Sequence, residues 1–261
     1  MNNNKILSLL MIILCCILTL QITAYASSNA FNWYCMRTKN HCQPRCEPNM
    51  GFIEQYNGFF IDKNHGDECP QKQIYLTFDA GYENGNIERI LNILQAKNVP
   101  AAFFILDNLI KSNTDLVKRM VNEGHLVCNH TASHRDMTKI HDINKFNEEL
   151  TKLENACREY TGCEMSKYYR PPEGKFSEEN LKFASELGYK TIFWSFAYAD
   201  WDNNNQPSEN KALKLICDNI HNGAVLLLHP TSSTNANILS NLIDILKSEG
   251  YIFGTLDQLT A

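Results

Sequence analysis

Seven short β-rich runs alternate with six amphipathic helical patterns in this chain, and the alternation constrains its fold more than any other feature. The runs predicted as strands are residues 73–78, 101–106, 125–129, 168–170, 191–195, 224–228 and 251–255. Between them, apolar residues recur with helical spacing, as at Ile87, Ile90, Leu91 and Leu94. Such a series forms parallel strands joined by right-handed helical crossovers. We therefore predict an α/β fold, with a (β/α) barrel favoured over an open parallel sheet.

The first 26 residues have the pattern of an export signal. Lys5 is their only charged residue, residues 6–22 are almost wholly apolar, and Ala24-Tyr25-Ala26 places small residues where a signal peptidase cuts. We predict a signal peptide over residues 1–26, followed by export across the membrane. An uncleaved anchor is the alternative, because the apolar run is nearly long enough to span a bilayer.

The mature chain is expected to contain an N-terminal extension (residues 27–72) and one domain (residues 73–261). Eight cysteines follow the predicted signal: Cys35, Cys42, Cys46, Cys69, Cys128, Cys157, Cys163 and Cys217. An even number in an exported chain permits disulfides. The four in the extension are candidates for such bonds, with a zinc knot as the alternative, and Cys157 and Cys163 could close a small loop. Cys128 and Cys217 are predicted to be buried thiols.

Polar residues follow the predicted strands at the positions where a barrel would gather them. In chain order they are Asp79, His130, His134, Arg170, Asp200, Trp201 and His229. The carboxyl ends of the strands of a (β/α) barrel meet at one mouth, where active sites form. We therefore expect these side chains to share one site. The net charge of −5 offers no basic surface for nucleic acid.

The histidine pair and the first aspartate suggest metal-assisted hydrolysis. His130 and His134 are four residues apart, which on a helical turn would place both imidazoles on one face as ligands of zinc or another divalent ion. A capping histidine and a surface histidine are the alternative. Asp79 could act as the general base, or instead as a helix N-cap. Arg170 precedes two prolines that fix the backbone, so it could hold a carboxylate ionised, or be a surface arginine.

The remaining candidates suggest proton delivery and substrate contact. His229 follows an apolar run and could protonate a leaving amine near neutral pH, with Asp200 orienting it. A histidine satisfied within the core is the alternative. Trp201 could stack on a sugar face, or belong to the core.

Five motifs within residues 73–259 resemble the polysaccharide deacetylase (NodB-homology) family, carbohydrate esterase family 4. They are Thr77-Phe78-Asp79, His130-Thr131-Ala132-Ser133-His134, Arg170-Pro171-Pro172-Glu173-Gly174, Asp200-Trp201 and Leu227-Leu228-His229. The resemblance implies a distorted seven-stranded (β/α) barrel and removal of acetyl from N-acetylated sugars. It implies a divalent metal ion bound by His130 and His134, with zinc expected and other divalent ions as the alternative. Asp79, Arg170, Asp200 and His229 would be catalytic, and Pro171, Glu173 and Trp201 would contact substrate, with the Glu173 N–H a candidate oxyanion donor.

One position departs from the family pattern. The family places a second aspartate, a metal ligand, directly after the catalytic one, and this chain has Ala80 there. Alanine has no donor atom, so the two histidines should hold the metal more weakly, with solvent or a substrate oxygen filling the open positions.

A narrower resemblance is to the δ-lactam-biosynthetic de-N-acetylases of spore-forming bacteria, through Phe78-Asp79-Ala80-Gly81-Tyr82-Glu83-Asn84-Gly85 and Ala199-Asp200-Trp201. It implies action on N-acetylmuramic acid in peptidoglycan that lacks peptide stems, leading to the muramic-δ-lactam of spore cortex. The expected location is the cell wall or the forespore intermembrane space, and the expected partner is the glycan strand, bound by a monomer. The alternatives are an N-acetylglucosamine deacetylase, an inactive wall-binding module and an acetyl-xylan esterase.

Overall fold

The computed structural model describes residues 29–261, so the predicted signal peptide lies outside the described residues. The strands are β1 (Phe31–Asn32), β2 (Gly58–Phe59), β3 (Lys72–Ala80), β4 (Ala102–Ile105), β5 (Leu126–Asn129), β6 (Ser166–Tyr169), β7 (Lys175–Phe176), β8 (Lys190–Ile192), β9 (Ala224–Leu228) and β10 (Tyr251–Gly254). The helices are α1 (Phe52–Gln55), α2 (Ile87–Lys97), α3 (Asp107–Ser112), α4 (Thr114–Asn122), α5 (Ile143–Thr161), α6 (Glu178–Glu186), α7 (Glu209–Asn219), α8 (Ser233–Ser248) and α9 (Leu256–Leu259).

The sheet is a curled parallel array centred on β3. Its strand order is β10-β3-β4-β5-β6-β8-β2, and β9 pairs with β3 as well. The first half of β3 pairs with β10 and the second half with β4, while β9 runs beside residues 74–78. After β8 the chain turns toward β9, where Phe196 forms a parallel bridge with Leu226. The predicted distorted (β/α) barrel is confirmed. Its seven predicted strands are β3, β4, β5, β6, β8, β9 and β10, and β2 adds an eighth strand to the sheet.

The core lies between the strands and the helices that cross over them. β3 is buried through most of its length, because parallel strands covered on both faces exclude water from every side chain. The apolar stripe of α2 packs on it with Ile87, Ile90, Leu91 and Leu94 fully buried. This rigid centre places the carboxyl ends of the strands at one mouth.

The N-terminal extension is built into this architecture. Its β1 pairs antiparallel with β7, and its β2 adds a parallel strand beside β8. The Trp33 Nε1–H donates to the carbonyl of Trp194 at 2.8 Å. The extension therefore supports residues 170–176 and 193–197, both of which lead into the predicted site.

Some local predictions differ from the structure. The eight cysteines of the described part are all free thiols, and Cys217, which lies on α7, is partly exposed rather than buried. The strand predicted for 191–195 ends at Ile192, since the chain leaves β8 to reach β9. Residues 29–261 contain no helix with the length and apolarity needed to cross a bilayer.

Candidate active site

Asp79 and Arg170 form a buried ion pair at the mouth of the barrel. Asp79 is the second-last residue of β3, and Arg170 directly follows β6. The Arg170 Nη1–H donates to Asp79 Oδ1 at 2.7 Å, and Nη2–H donates to Thr77 Oγ1 at 2.9 Å. Arg170 is fully buried, so the surface-arginine alternative is wrong. Asp79 occupies a strand, so the N-cap alternative is wrong too.

The guanidinium of Arg170 is fixed on every side. Its Nε–H donates to the carbonyl of Ile192 at 2.9 Å, and Nη2–H also reaches the carbonyl of Phe193 at 3.3 Å. The face of the guanidinium lies 4.1 Å from the ring centroid of Phe104. Pro171, with φ −66°, continues the chain in an extended conformation. These contacts hold Arg170 in one geometry.

This environment keeps Asp79 ionised. Burial alone would favour the neutral acid, but the positive charge of Arg170 and its hydrogen bond outweigh burial and lower the pKa of Asp79 below its usual value. A carboxylate held ionised at the mouth of the barrel is suited to accept a proton from water.

The two histidines lie in an irregular loop after β5, not on a helical turn as predicted. Thr131 (φ 70°) and His134 (φ 52°) both adopt the left-handed conformation, which a helix excludes. The loop nevertheless brings the two imidazoles together, with ring centroids 5.0 Å apart. The two rings are therefore adjacent, as expected, but the loop conformation brings them together rather than a helical turn.

Polar side chains, two of them fully buried, hold this loop in its strained conformation. The Asn129 side-chain oxygen accepts from Thr131 N at 2.9 Å, and Thr131 Oγ1 accepts from His134 N at 3.0 Å. Glu149 on α5 accepts from the Ser133 hydroxyl at 2.8 Å. Local backbone strain persists only where such contacts over-determine it. Asn129 and Glu149 thus position the histidines, although no motif in the sequence pointed to them.

His130 is arranged as a neutral imidazole facing Asp79. Its Nδ1–H donates to the carbonyl of Arg170 at 2.8 Å, which leaves Nε2 as the free acceptor, 3.5 Å from Asp79 Oδ2. Burial is the main cause that lowers the pKa of His130 to about 4, against the attraction of Asp79. A neutral ring whose Nδ1 is fixed by a carbonyl is the usual form of a metal-ligating histidine.

The donor set at this mouth fits a divalent ion that is held by few protein ligands. In the described part of the chain, no three His, Cys, Asp or Glu side chains converge into a metal-binding group. His130 and His134 lie together, Asp79 Oδ2 lies 3.5 Å from Nε2 of His130, and Ala80, which is fully buried, offers no donor. Imidazole nitrogens with an adjacent carboxylate suit zinc and similar ions, and open coordination positions are typical of catalytic sites.

His229 and Asp200 form the second half of the site. The His229 Nδ1–H donates to Asp200 Oδ1 at 2.7 Å, and the His229 backbone N–H donates to Asp200 Oδ2 at 2.8 Å. Burial disfavours the charged imidazole, but the hydrogen bond and charge of Asp200, with Asp79 further away, raise the pKa of His229 above its usual value. His229 is therefore an available proton donor near neutral pH.

Asn235, near the start of α8, holds both the Asp200 carboxylate and the backbone of His229. Its Nδ2–H donates to Asp200 Oδ2 at 2.6 Å and to the carbonyl of His229 at 3.1 Å. The Tyr198 hydroxyl donates to the side-chain oxygen of Asn235. Sequence patterns did not identify Asn235, because its role depends on where α8 begins relative to β9.

The predicted substrate-contacting residues lie around this mouth. Trp201 is 61% exposed, and its ring lies 6.2 Å from that of His229, edge to face. Glu173 has a left-handed backbone (φ 56°), and its exposed carboxylate pairs with Lys175 at 2.5 Å rather than pointing into the site. Pro171 is buried beside Arg170. The structure thus gathers the histidines, both aspartates, Arg170 and Trp201 at one mouth.

Comparison with known proteins is consistent with this geometry. The family model for polysaccharide deacetylase matches residues 66–192. The peptidoglycan-N-acetylmuramic acid deacetylase PdaA of Bacillus subtilis is 36% identical over 94% of this chain and 94% of its own length. The structure of Bacillus subtilis PdaA, described as a family 4 carbohydrate esterase, superimposes with a TM-score of 0.83 at 37% identity, over 89% of this chain and 97% of that one.

A second curated relative has a different sugar in its name. The peptidoglycan-N-acetylglucosamine deacetylase of Bacillus cereus is 31% identical over 72% of this chain and 68% of its own length. The relatives agree on the fold and on deacetylation, and they differ in the sugar. The chain therefore belongs to the polysaccharide deacetylase family and is a carbohydrate de-N-acetylase.

Proposed function

We propose that this protein hydrolyses the acetamide of N-acetylmuramic acid in peptidoglycan that lacks peptide stems, which prepares muramic-δ-lactam in spore cortex. One observation carries the hydrolytic part of the proposal. An ionised Asp79 and a protonatable His229 lie at one mouth, each with its own buried partner, Arg170 and Asp200. A pair of groups whose surroundings push their pKa values apart is the signature of acid–base chemistry.

Asp79 acts as the general base. It removes a proton from the attacking water while Arg170 holds its carboxylate in position and in its ionised form. The water oxygen bonds to the acetamide carbon, and the developing oxyanion lies toward the backbone N–H of Glu173. The left-handed conformation of Glu173 is a backbone outlier of the kind that clusters at functional sites.

His229 acts as the general acid. As the C–N bond breaks, its imidazolium delivers a proton to the leaving nitrogen, so that the products are acetate and a free amine. Asp200 orients the ring through Nδ1 and keeps it protonated. The freed amine can then condense with the lactyl carboxyl of the same sugar, with loss of water, to close the lactam.

A divalent ion, zinc by expectation, supplies Lewis-acid polarisation of the acetamide carbonyl when it is bound. His130 and His134 would hold it, with Asp79 adjacent to His130. Because Ala80 provides no third ligand of its own, we expect weak retention of the ion during purification.

The choice of muramic acid rests on the long match to PdaA, which extends over 94% of both chains. N-acetylglucosamine deacetylation is the second candidate, favoured by the Bacillus cereus relative that carries that name. Product analysis of peptide-free strands separates the two candidates, because the deacetylated sugar is identified directly.

The cellular setting is part of the same proposal. The apolar pattern of residues 6–22 supports export. We expect the protein in the cell wall or in the forespore intermembrane space, or membrane-anchored if the signal is not cleaved. Fractionation of sporulating cells followed by N-terminal sequencing tests this location. A protein that still begins at Met1 and lies in the cytosolic fraction would contradict export.

An acetate-release assay on peptide-free and peptide-bearing peptidoglycan tests the substrate class. The proposal predicts acetate only from the peptide-free strands and only with added divalent metal. Equal release from both would overturn the requirement for missing stems. Release from glucosamine residues alone would favour the second candidate.

A further inference from the structure

The rim of the site carries a second exposed aromatic ring, that of Tyr82. Among residues 29–261 the exposed large hydrophobic side chains are Tyr34, Met36, Tyr82, Tyr160, Trp201 and Ile252. Tyr82 is 46% exposed and follows the catalytic strand by two residues. Its Cα therefore lies within about 11 Å of the Asp79 Cα, which is the reach of three residues of extended chain. Tyr82 therefore lies on the rim, close to the carboxyl end of the strand that carries Asp79.

A hydrogen bond ties Tyr82 to the loop that carries Trp201. The Asn203 Nδ2–H donates to the Tyr82 hydroxyl oxygen at 2.8 Å. Asn203 is two residues beyond Trp201, whose ring contacts His229 edge to face. The two aromatic side chains thus belong to one continuous stretch of rim. Because Asn203 donates, the hydroxyl proton of Tyr82 remains available for another acceptor.

The loop beneath Tyr82 is held firmly. Glu83 accepts hydrogen bonds from the backbone of Gly85 at 2.6 Å and of Ile87 at 2.9 Å. The Asn84 Nδ2–H donates to the carbonyl of Thr231 at 2.8 Å, two residues after His229. An exposed aromatic ring on a fixed loop loses little conformational entropy when it binds a ligand, which is why Tyr and Trp are favoured in recognition surfaces.

We propose that Tyr82, tethered by Asn203, forms a separate sugar-binding subsite next to Trp201, which takes the pyranose adjacent to the one being deacetylated. The inference rests on the proposed function, since it assumes a polymeric glycan in the mouth. The apolar C–H face of a pyranose packs against the Tyr82 ring, and a sugar hydroxyl accepts the free proton of Tyr82. The mouth therefore recognises a glycan strand rather than one sugar.

Kinetics on peptide-free glycans of two lengths test the subsite. We expect Tyr82→Ala to lower kcat/KM on an octasaccharide about tenfold, which is the order of one lost aromatic contact, and to leave a reduced disaccharide almost unaffected. Asn203→Ala and Tyr82→Phe should each show a smaller loss that is again confined to the longer substrate. Tyr160→Ala is the matched control, because Tyr160 is 41% exposed on α5 and outside the site.

A binding measurement keeps the inference separate from the proposed function. Calorimetric titration of the octasaccharide into Asp79→Asn, with and without Tyr82→Ala, should show weaker affinity in the double variant. Equal losses on both substrate lengths would overturn the subsite and make Tyr82 a support of the catalytic strand. Unchanged binding and kinetics would overturn it too. Failure of the wild-type protein to release acetate at either length would instead contradict the proposed function, and the titration would still decide the subsite.

Discussion

Replacing Arg170 with methionine should both destabilise the protein and slow its reaction, because the guanidinium supports Asp79 from within the sheet. Methionine fills part of the same space with an adaptable apolar chain but supplies no donor. The variant leaves the Asp79 carboxylate without its 2.7 Å hydrogen bond from Nη1. It also removes the donors that reach the carbonyl oxygens of Ile192 and Phe193.

The expected loss of stability follows from burial. Removing one partner of a buried ion pair costs about 3–5 kcal/mol, since the other charge is left uncompensated. Arg170 is fully buried, but Asp79 is 10% exposed, so water can partly solvate the carboxylate that is left unpaired and reduce this cost. We therefore expect the lower end, about 3 kcal/mol, and a Tm lower by about 6–12 °C for a domain of this size.

The expected effect on catalysis follows from the pKa of Asp79. Without Arg170, burial dominates and raises that pKa, so the acidic limb of the kcat profile should move to higher pH. Loss of a positioned general base typically lowers kcat by about 10²–10⁴-fold. KM should change little, because a fully buried side chain does not touch substrate.

Thermal unfolding by circular dichroism and acetate-release kinetics measure these two effects. Arg158→Met is the control, because Arg158 makes an exposed ion pair with Glu164 at 2.6 Å and should leave Tm and kcat unchanged. Arg170→Lys keeps the positive charge but lacks the paired N–H donors of the guanidinium. Compared with Arg170→Met, it should therefore restore part of the stability and little of the turnover. An Arg170→Met protein with wild-type Tm and kcat, or with a raised KM at unchanged kcat, would refute the reasoning.

Three further changes test other contacts of the site. Asp200→Asn should lower the pKa of His229, which Asp200 now raises, so the alkaline limb of the kcat profile should shift to lower pH; an unshifted limb would remove His229 as the acid. Asn235→Ala should lower kcat about tenfold with KM unchanged, by freeing the Asp200 carboxylate, and a change in KM alone would contradict this. Glu149→Ala should weaken zinc binding about 10–100-fold in a competition titration with a chelating dye, because it removes the side chain that holds the histidine loop. Unchanged affinity would show that the loop keeps its conformation without Glu149.

Much of the fold was predictable because hydrophobic periodicity reports burial directly. The run at residues 73–78 and the stripe of α2 have patterns set by local packing, and both occur where predicted. The extension was less predictable. Its β1 and β2 are two residues each, too short for a periodic signal, and they exist because β7 and β8 offer open edges.

Sequence motifs pointed to the site residues but did not reveal the contacts that hold them in place. The spacing of His130 and His134 suggested a helix, whereas the structure uses two left-handed residues that Asn129 and Glu149 hold in place. The buried guanidinium of Arg170 depends on the carbonyl groups of Ile192 and Phe193, at the end of β8 and just after it, 22 and 23 residues away in sequence. Such partners come together only after the strands pair, so no local pattern contains them.

The most direct test of the central claim is mass spectrometry of peptide-free peptidoglycan strands incubated with the mature protein and a divalent metal, beside an Asp79→Asn control. We expect loss of acetyl from muramic acid with the wild-type protein and none with the control. Acetyl loss that persists in Asp79→Asn would contradict the role of Asp79. No loss with any divalent metal would contradict deacetylation itself and favour a wall-binding module in which Ala80 marks a site without activity.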